Sequence, residues 1–384
     1  MSRLKDNENF KLLLKILIIF AISRLIMLVM VPVYNGIMGT NRSFLFLMNE
    51  WDAKKYAYII NNGYTYPTDM DPQANWAFFP LYVIVCMFFK TITGGLINTY
   101  VIGMIVSNVC SIIAAFFAAK GLKKQTDIKD GYELLMPVLM FMAPYTFYGA
   151  SVYTEAMFIM FIVLFFYFLS EKKYVLAGVM AACSSATRIV GCILVFALVV
   201  QLYIDIEGDK ISLGCIKDFV VTMFKNPGKI FAVLICPFGA FSYMTFLNFF
   251  CGDAWAYKNV QIAWRDDEYF PVVGVLWKAC TGQIEPRYTY MGWFCVAILI
   301  LYGYMFFRKY YAMAVFGIIS LLVPLTSHVM STCRFTFGTY VVFVGMYDIL
   351  SRFNKVVRWV ITGILVIIEI YLLFLWYNSD CWLM

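Results

Sequence analysis

The chain has 384 residues, 62% of them hydrophobic and 14% charged, whereas a soluble domain is about half apolar and a quarter charged. That balance excludes an ordinary soluble enzyme and implies an all-α polytopic membrane protein. The net charge of +7 is not a nucleic-acid signal, because the basic residues sit in short connectors between apolar runs, as the positive-inside rule requires.

In chain order, the first apolar run is Phe10 to Val31, which reaches the ~20 residues that a bilayer core demands. It is too long for a signal core and no small-residue cleavage site follows it, so it reads as a first membrane helix over 10–32. Arg24 lies within it, and a charge at that depth needs a structural partner. A polar, aromatic loop follows over 33–96, with a helix expected at 53–62. Its apolar piece 78–90 is too short to span and should lie along the interface. The next crossings are expected at 97–119, 132–149 and 153–170.

Lys172-Lys173 and Lys210 both belong inside by charge, so residues 174–204 should enter and return. Each arm then has only ~15 residues, about 22 Å of helix against a ~30 Å core. The turn near Ser184 to Arg188 would sit at membrane depth, where irregular backbone survives only beside a protein-walled cavity. Residues 205–228 read as a cytoplasmic loop with a short amphipathic helix. The last crossings are expected at 229–250, 288–307, 310–327, 335–350 and 356–377, with a second outer loop at 251–287. The expectation is one integral membrane domain over 1–384, with about eleven crossings and interfacial helices on the outer face. Both long loops and the C-terminus would lie outside.

The eleven cysteines show no paired metal-ligand spacing. Most, such as Cys110, Cys183, Cys192 and Cys236, fall in apolar runs and read as packing thiols. Cys251, Cys280, Cys333 and Cys381 face outward in this threading, which leaves room for one disulfide. The single histidine, His328, excludes a histidine-rich metal centre. Glu369, in the last apolar run, reads as packing against another helix.

The chemistry concentrates in the outer segments. Asp52, in Glu50-Trp51-Asp52-Ala53-Lys54-Lys55-Tyr56, is placed to take a proton from a weak hydroxyl nucleophile, or to cap the helix at 53–62. Glu155 follows a short outer connector and can orient an acceptor, bind a divalent cation, or favour a helix start through the dipole. Arg188 is an intramembrane charge, costing about 2.5–3.5 kcal/mol on insertion scales unless partnered. A phosphate would serve, since arginine binds phosphate bidentately. Arg334 is the alternative phosphate ligand. No Gly-rich nucleotide loop is present, and no cytoplasmic segment is large enough for a nucleotide-sugar domain.

These blocks resemble a family. Trp51-Asp52-Ala53 through Tyr56, Ile59-Ile60, Gly63-Tyr64 and Phe78-Phe79-Pro80-Leu81-Tyr82 look like the opening signature of the second GPI mannosyltransferase (PIG-V) family and its bacterial relatives. The resemblance continues through Pro144, Tyr153-Thr154-Glu155, Ala186-Thr187-Arg188, Gly191, Gly252-Asp253, Gln261 and Trp264, and ends weakly at Arg334-Phe335. Lys55, Val83 and Ile189-Val190 depart from the pattern and bear on which sugar or acceptor is used.

The resemblance implies a glycosyltransferase of the GT-C class, with inversion at the anomeric carbon and an active site on the outer face, here of a bacterial plasma membrane. It implies a polyprenyl-phosphate sugar donor, mannose in the first place, and a glycan or glycolipid acceptor. Asp52 and Glu155 would be catalytic, and Arg188 and Arg334 would bind the donor phosphate. Trp51, Tyr56, Phe79, Tyr153, Gln261, Trp264 and Arg265 would contact substrate. No cofactor is required beyond that optional cation. A flippase for lipid-linked sugar, or a non-catalytic subunit of a glycan assembly complex, is the alternative. The first would move lipid without cleaving it, and the second would lack turnover of its own.

Overall fold

The computed structural model describes residues 2–66, 75–126, 134–210, 212–263 and 272–383, without the side chains of 2–6 and 123. Among these residues every regular element is helical. The α-helices are α1 (Ser2–Met38), α2 (Phe44–Leu47), α3 (Asp52–Asn62), α4 (Pro80–Ile92), α5 (Thr99–Gln125), α6 (Leu135–Met142) and α7 (Glu155–Ser170). Then come α8 (Tyr174–Thr187), α9 (Leu194–Glu207), α10 (Leu213–Phe224), α11 (Pro227–Ile235), α12 (Phe238–Cys251), α13 (Ala256–Asn259) and α14 (Val272–Cys280). The chain ends with α15 (Arg287–Phe307), α16 (Tyr311–Leu325), α17 (Thr332–Phe337), α18 (Tyr340–Ser351) and α19 (Lys355–Tyr377).

Among the described residues, five stretches are long and apolar enough to cross a bilayer: Asn7–Met38, Thr99–Leu122, Ile189–Glu207, Arg287–Phe307 and Lys355–Tyr377. The pair α11 and α12, bent by 48°, makes a sixth if it is one broken span. The chain is therefore an integral membrane protein. Helices α4, α7, α8, α16 and α18 are apolar but have only 13, 16, 14, 15 and 12 residues, short of a straight crossing.

The expected boundaries hold best where a run is uninterrupted, as at α15 and α19. They fail where a local signal breaks the helix. The stretch expected to cross at 132–149 is helical only to Met142, within the described residues. Pro144 bars its predecessor from the α region, Tyr145 takes a left-handed φ of 66°, and a 3₁₀ turn follows over Thr146–Ala150. The stretch at 335–350 divides at Gly338-Thr339 into α17 and α18. A short helix inside 205–228 is present as α10, which has no buried residue and exposes Leu213 and Phe224. Helix α14, in the second loop, was not foreseen. None of the eleven cysteines is joined in a disulfide, so the optional bridge is absent.

The described chain divides into two compact units. Unit 1 is Met1–Gly63, Tyr82–Met160 and Cys333–Met384; unit 2 is Tyr64–Leu81 and Phe161–Thr332. In unit 1, Ile16 of α1, Ala115 and Ala119 of α5, and Phe141 of α6 form one buried cluster. The alanines let the helices approach, and Phe20 meets Phe141 edge to face at 5.5 Å. Arg24 donates from Nε to Asn108 Oδ1 at 2.7 Å and lies over the Phe20 ring. Tyr377 of α19 donates to the Met27 carbonyl of α1 at 2.8 Å.

In unit 2, α8 is the hub. It meets α11 and α12 through glycines: a Cβ on Gly178 would lie 2.5 Å from the Ala232 carbonyl oxygen, and one on Gly239 2.2 Å from that of Ala182. The bend between α11 and α12 falls before Pro237, and Ser185 Oγ donates to the Cys236 carbonyl at 3.1 Å there. Helix α8 stops at Thr187. Arg188 is extended (φ −153°, ψ 140°), and a 3₁₀ turn over Ile189–Ile193 leads into α9. Gly191 folds back onto the α8 backbone so closely that a Cβ would lie 2.4 Å from the Ser184 carbonyl carbon. The break is where the expected return was placed, but Ile189–Glu207 reaches crossing length by itself.

Candidate active site

The candidate site lies within unit 1, on two straps that precede helices. The first strap runs from Asn49 to Asp52. The Ala53 N–H donates to the Glu50 carbonyl at 3.2 Å, which makes a turn with Trp51 and Asp52 at its centre. Asp52 is the first residue of α3 and Trp51 holds the capping position without a side-chain cap. Asp52 is thus not the side-chain cap of this helix.

The second strap runs from Thr146 to Glu155. It is laced to the first by polar contacts. Ser151 Oγ donates to the Met48 carbonyl at 2.5 Å, and the Val152 N–H donates to Asn49 Oδ1 at 3.2 Å. Tyr153, fully buried, donates its hydroxyl to the Glu50 carbonyl and accepts from the Asp52 N–H, both at 3.0 Å. That one hydroxyl spans the turn that carries Asp52. Tyr56 stacks edge-on against Tyr82 at 5.6 Å and donates to Thr154 Oγ1 at 3.4 Å.

Arg334 of α17 joins the straps. Its Nε is 2.5 Å from Glu155 Oε1 and its Nη1 is 2.7 Å from Asp52 Oδ2. The guanidinium lies over the rings of Tyr153 (4.6 Å) and Tyr148 (5.1 Å), an arrangement that favours a cation. Side-chain exposure falls from 32% at Asp52 to 6% at Arg334 and 2% at Glu155. Burial alone would lower the Arg334 pKa, but Glu155 and then Asp52 outweigh it and hold it well above its ordinary value. Asp52 Oδ1 receives no hydrogen bond from any described residue. One carboxylate oxygen is therefore fixed and the other is on the open side.

A deeper shell supports the second strap. Glu369 of α19 accepts at Oε1 from the Phe147 N–H at 2.7 Å and from Thr146 Oγ1 at 2.9 Å. The carboxylate satisfies the start of a 3₁₀ turn that has no other side-chain cap. Trp376 packs against Tyr148 and Tyr153. Sequence reasoning missed Glu50, Tyr148 and Trp376. Glu369 carried a signal, a lone acid in an apolar run, but its target was not legible.

Of the residues expected to act, Trp51, Asp52, Tyr56, Tyr153, Glu155 and Arg334 come together in unit 1. Phe79, Arg188 and Gln261 belong to unit 2. Phe79 is buried against Tyr243 and Tyr257. Gln261 donates to the Tyr257 carbonyl at 3.2 Å. Arg188 is half-buried at the end of α8. Trp264 and Arg265 lie outside the described residues. No cluster of three histidine, cysteine or acidic side chains able to hold a metal occurs among the described residues. His328 accepts from the Met330 N–H and packs on Tyr288.

No family model matches the chain, and no curated protein matches it. Among solved structures, the archaeal oligosaccharyltransferase AglB from Archaeoglobus fulgidus, in complex with an inhibitory peptide and a dolichol-phosphate, is similar over 95% of this chain and 55% of its own, at 12% identity and a TM-score of 0.46. A structure of the Archaeoglobus fulgidus oligosaccharyltransferase complex with Zn and sulfate is similar over 94% and 53%, at 11% identity and a TM-score of 0.46. The chain spans about half the length of these structures. So distant a likeness carries no functional weight, and the functional reading rests on the site and the motifs.

Proposed function

We propose that this chain is a membrane glycosyltransferase of the GT-C class. It moves a hexose, mannose in the first place, from a polyprenyl-phosphate sugar to an acceptor hydroxyl on the outer face of a bacterial plasma membrane. The observation that carries the reading is the state of Asp52: one oxygen clamped by a buried arginine, the other open, on a turn held by Tyr153. A general base needs that combination of fixed direction and access. The ordered motifs resembling the PIG-V family add the donor class and the inverting geometry.

In this mechanism the acceptor O–H gives its proton to Asp52 Oδ1 as its oxygen bonds to the anomeric carbon. The bond from that carbon to the phosphate oxygen breaks, and polyprenyl phosphate leaves with the electron pair. The leaving group needs positive charge rather than a proton, and stabilising such developing charge is a principal catalytic contribution. The family resemblance implies that role for Arg188. Arg334 orients Asp52 and keeps Glu155 from standing as a bare buried charge. Glu155 acts through Arg334 as a positioning residue.

The test is cleavage of the donor. Purified protein in lipid, supplied with synthetic polyprenyl-phosphate mannose and an acceptor glycan, should release polyprenyl phosphate in step with glycan extension. Movement of the intact lipid across the bilayer with no cleavage would replace this reading with that of a flippase.

A further inference from the structure

Helix α10 has 12 residues and buries none of them. Its exposed apolar side chains fall in one stripe. Leu213, Ile216, Val220 and Phe224 follow one another at spacings of three and four, the repeat of a single helix face. Leu213 is 87% exposed and Phe224 76%. Polar Asp218 and Thr222 lie on the other side. An apolar face of this kind, left bare by the rest of the fold, marks a contact surface.

The connections of α10 say what covers that face. Before it, Ile189–Glu207 is long and apolar enough to cross the bilayer, and after it α11 opens the bent apolar pair. Five residues separate α9 from α10, and two separate α10 from α11. Five residues reach ~17 Å at full extension, so α10 stays at the bilayer surface where α9 leaves it. It is also fastened there. Phe219, off the stripe, meets Tyr203 of α9 edge to face at 5.4 Å. The Tyr203 hydroxyl donates to the Lys210 carbonyl at 2.6 Å, and Ser212 Oγ caps α10 by accepting from the Cys215 N–H at 3.1 Å.

Lysines gather at the same end of unit 2. Lys217 flanks the stripe and Lys225 ends the helix, both exposed. Lys229 Nζ lies 5.6 Å from the centre of the Tyr174 ring, which brings the start of α11 beside the exposed Lys172 and Lys173. Asp209, in the linker before α10, is already paired with Lys309, and Asp218 is the one acid on the helix. Basic residues clustered beside an amphipathic helix match an anionic lipid surface, and long lysine stems let the ammonium reach the headgroups from an apolar face. We propose that α10 lies in the membrane interface with its Leu213–Phe224 stripe among the lipid chains, and that Lys172, Lys173, Lys217, Lys225 and Lys229 bind the headgroups of anionic phospholipids. Sugar chemistry plays no part in this contact, so it stands or falls apart from glycosyl transfer.

The experiment places a fluorescent amino acid at Val220, or at Thr222 on the opposite side, in the full chain purified into vesicles. Two quenchers are compared: iodide in the water, and a doxyl group on the acyl chain of phosphatidylglycerol or of phosphatidylcholine at equal content. The Val220 reporter should be quenched by doxyl lipid and shielded from iodide, and the Thr222 reporter the reverse. Doxyl-phosphatidylglycerol should quench at Val220 at least about fivefold more than doxyl-phosphatidylcholine, the preference that one basic residue supplies at an anionic surface. Lys172→Gln, Lys173→Gln, Lys217→Gln, Lys225→Gln and Lys229→Gln together should abolish that preference and leave the doxyl quenching itself. If that variant does not fold, Lys217→Gln with Lys225→Gln, at two exposed positions, should reduce the preference. Equal access of iodide to both reporters would overturn the interfacial placement. So would a Val220 reporter shielded from both quenchers, which would mean that protein covers the stripe. Equal quenching by the two lipids, or a preference that survives removal of the lysines, would overturn the headgroup site.

Discussion

Arg334 Nη1 lies 2.7 Å from Asp52 Oδ2, across 282 positions of sequence, while Nε of the same guanidinium lies 2.5 Å from Glu155 Oε1. A single buried cation thus sets the direction of one carboxylate and compensates another. Removing it should do two separable things. Arg334→Met leaves Glu155 buried without its partner, which costs about 3–5 kcal/mol of stability, read as a lowered midpoint in denaturant or heat. Adding Glu155→Leu should recover part of that stability, because an apolar pair of similar volume avoids the desolvation cost. It should not recover activity if Asp52 needs the clamp. Recovery of both would mean that Arg334 serves folding only.

Arg334→Lys keeps the charge but not the fork. An ammonium cannot hold both carboxylates in the planar arrangement seen here. The expected result is near-normal expression and melting with strongly reduced turnover, measured as initial rates at matched protein levels.

Glu369 gives a prediction about support of the site from within the membrane. Glu369→Leu strands the Phe147 N–H, at about 1–3 kcal/mol for a buried group left unsatisfied, while the Thr146 hydroxyl keeps the Ala143 carbonyl at 2.9 Å. Glu369→Gln keeps an acceptor oxygen and should cost less. The readout is the thermal midpoint in lipid, with the order wild type above Gln above Leu.

The glycine contacts of unit 2 predict a packing defect within that unit. Gly239→Ala puts a methyl 2.2 Å from the Ala182 carbonyl oxygen, against backbone that cannot turn aside. Overpacking of this kind costs about 1–3 kcal/mol. Gly363→Ala, where nothing lies within 4 Å, is the matched control and should hold or slightly raise the midpoint, since alanine favours a helix interior over glycine.

The sequence made some of this legible and not the rest, for physical reasons. Uninterrupted apolar runs gave α15 and α19 almost to the residue, since length and hydropathy alone set such helices. The break at Arg188 followed from charge placement on both sides. Asp52, Glu155 and Arg334 each stand out by residue type and motif. Their joining was not legible, because a salt bridge across 282 positions depends on how helices pack. Arg334 was therefore read as a phosphate ligand, whereas it lies between two carboxylates. The break after Met142 was missed because the apolar run continues through Ala143-Pro144-Tyr145, and hydropathy outweighed the proline. Glu369 could be flagged as anomalous but not placed, since its partners are backbone and hydroxyl groups that leave no mark in sequence pattern.

The proposed orientation in the membrane rests on the basic connectors and is open to labelling. In a thiol-free background, Asn62→Cys, at the exposed end of α3, should react with an impermeant reagent added outside. Lys124→Cys, at the exposed end of α5, should react only after permeabilisation. The reverse pattern would move the candidate site to the cytoplasmic face and remove the argument for an outer-leaflet donor.

The most direct test of the central claim is the rate of sugar transfer by Asp52→Asn in lipid, with polyprenyl-phosphate mannose as donor. Asparagine fits the same space and can still meet Arg334 through its amide oxygen, so the fold and the thermal midpoint should be kept. The open oxygen that accepts the proton is replaced or made non-basic. Transfer should fall by at least the ~10²–10⁴-fold expected of a lost general base. Turnover within a few-fold of wild type, at matched protein levels, would contradict the account.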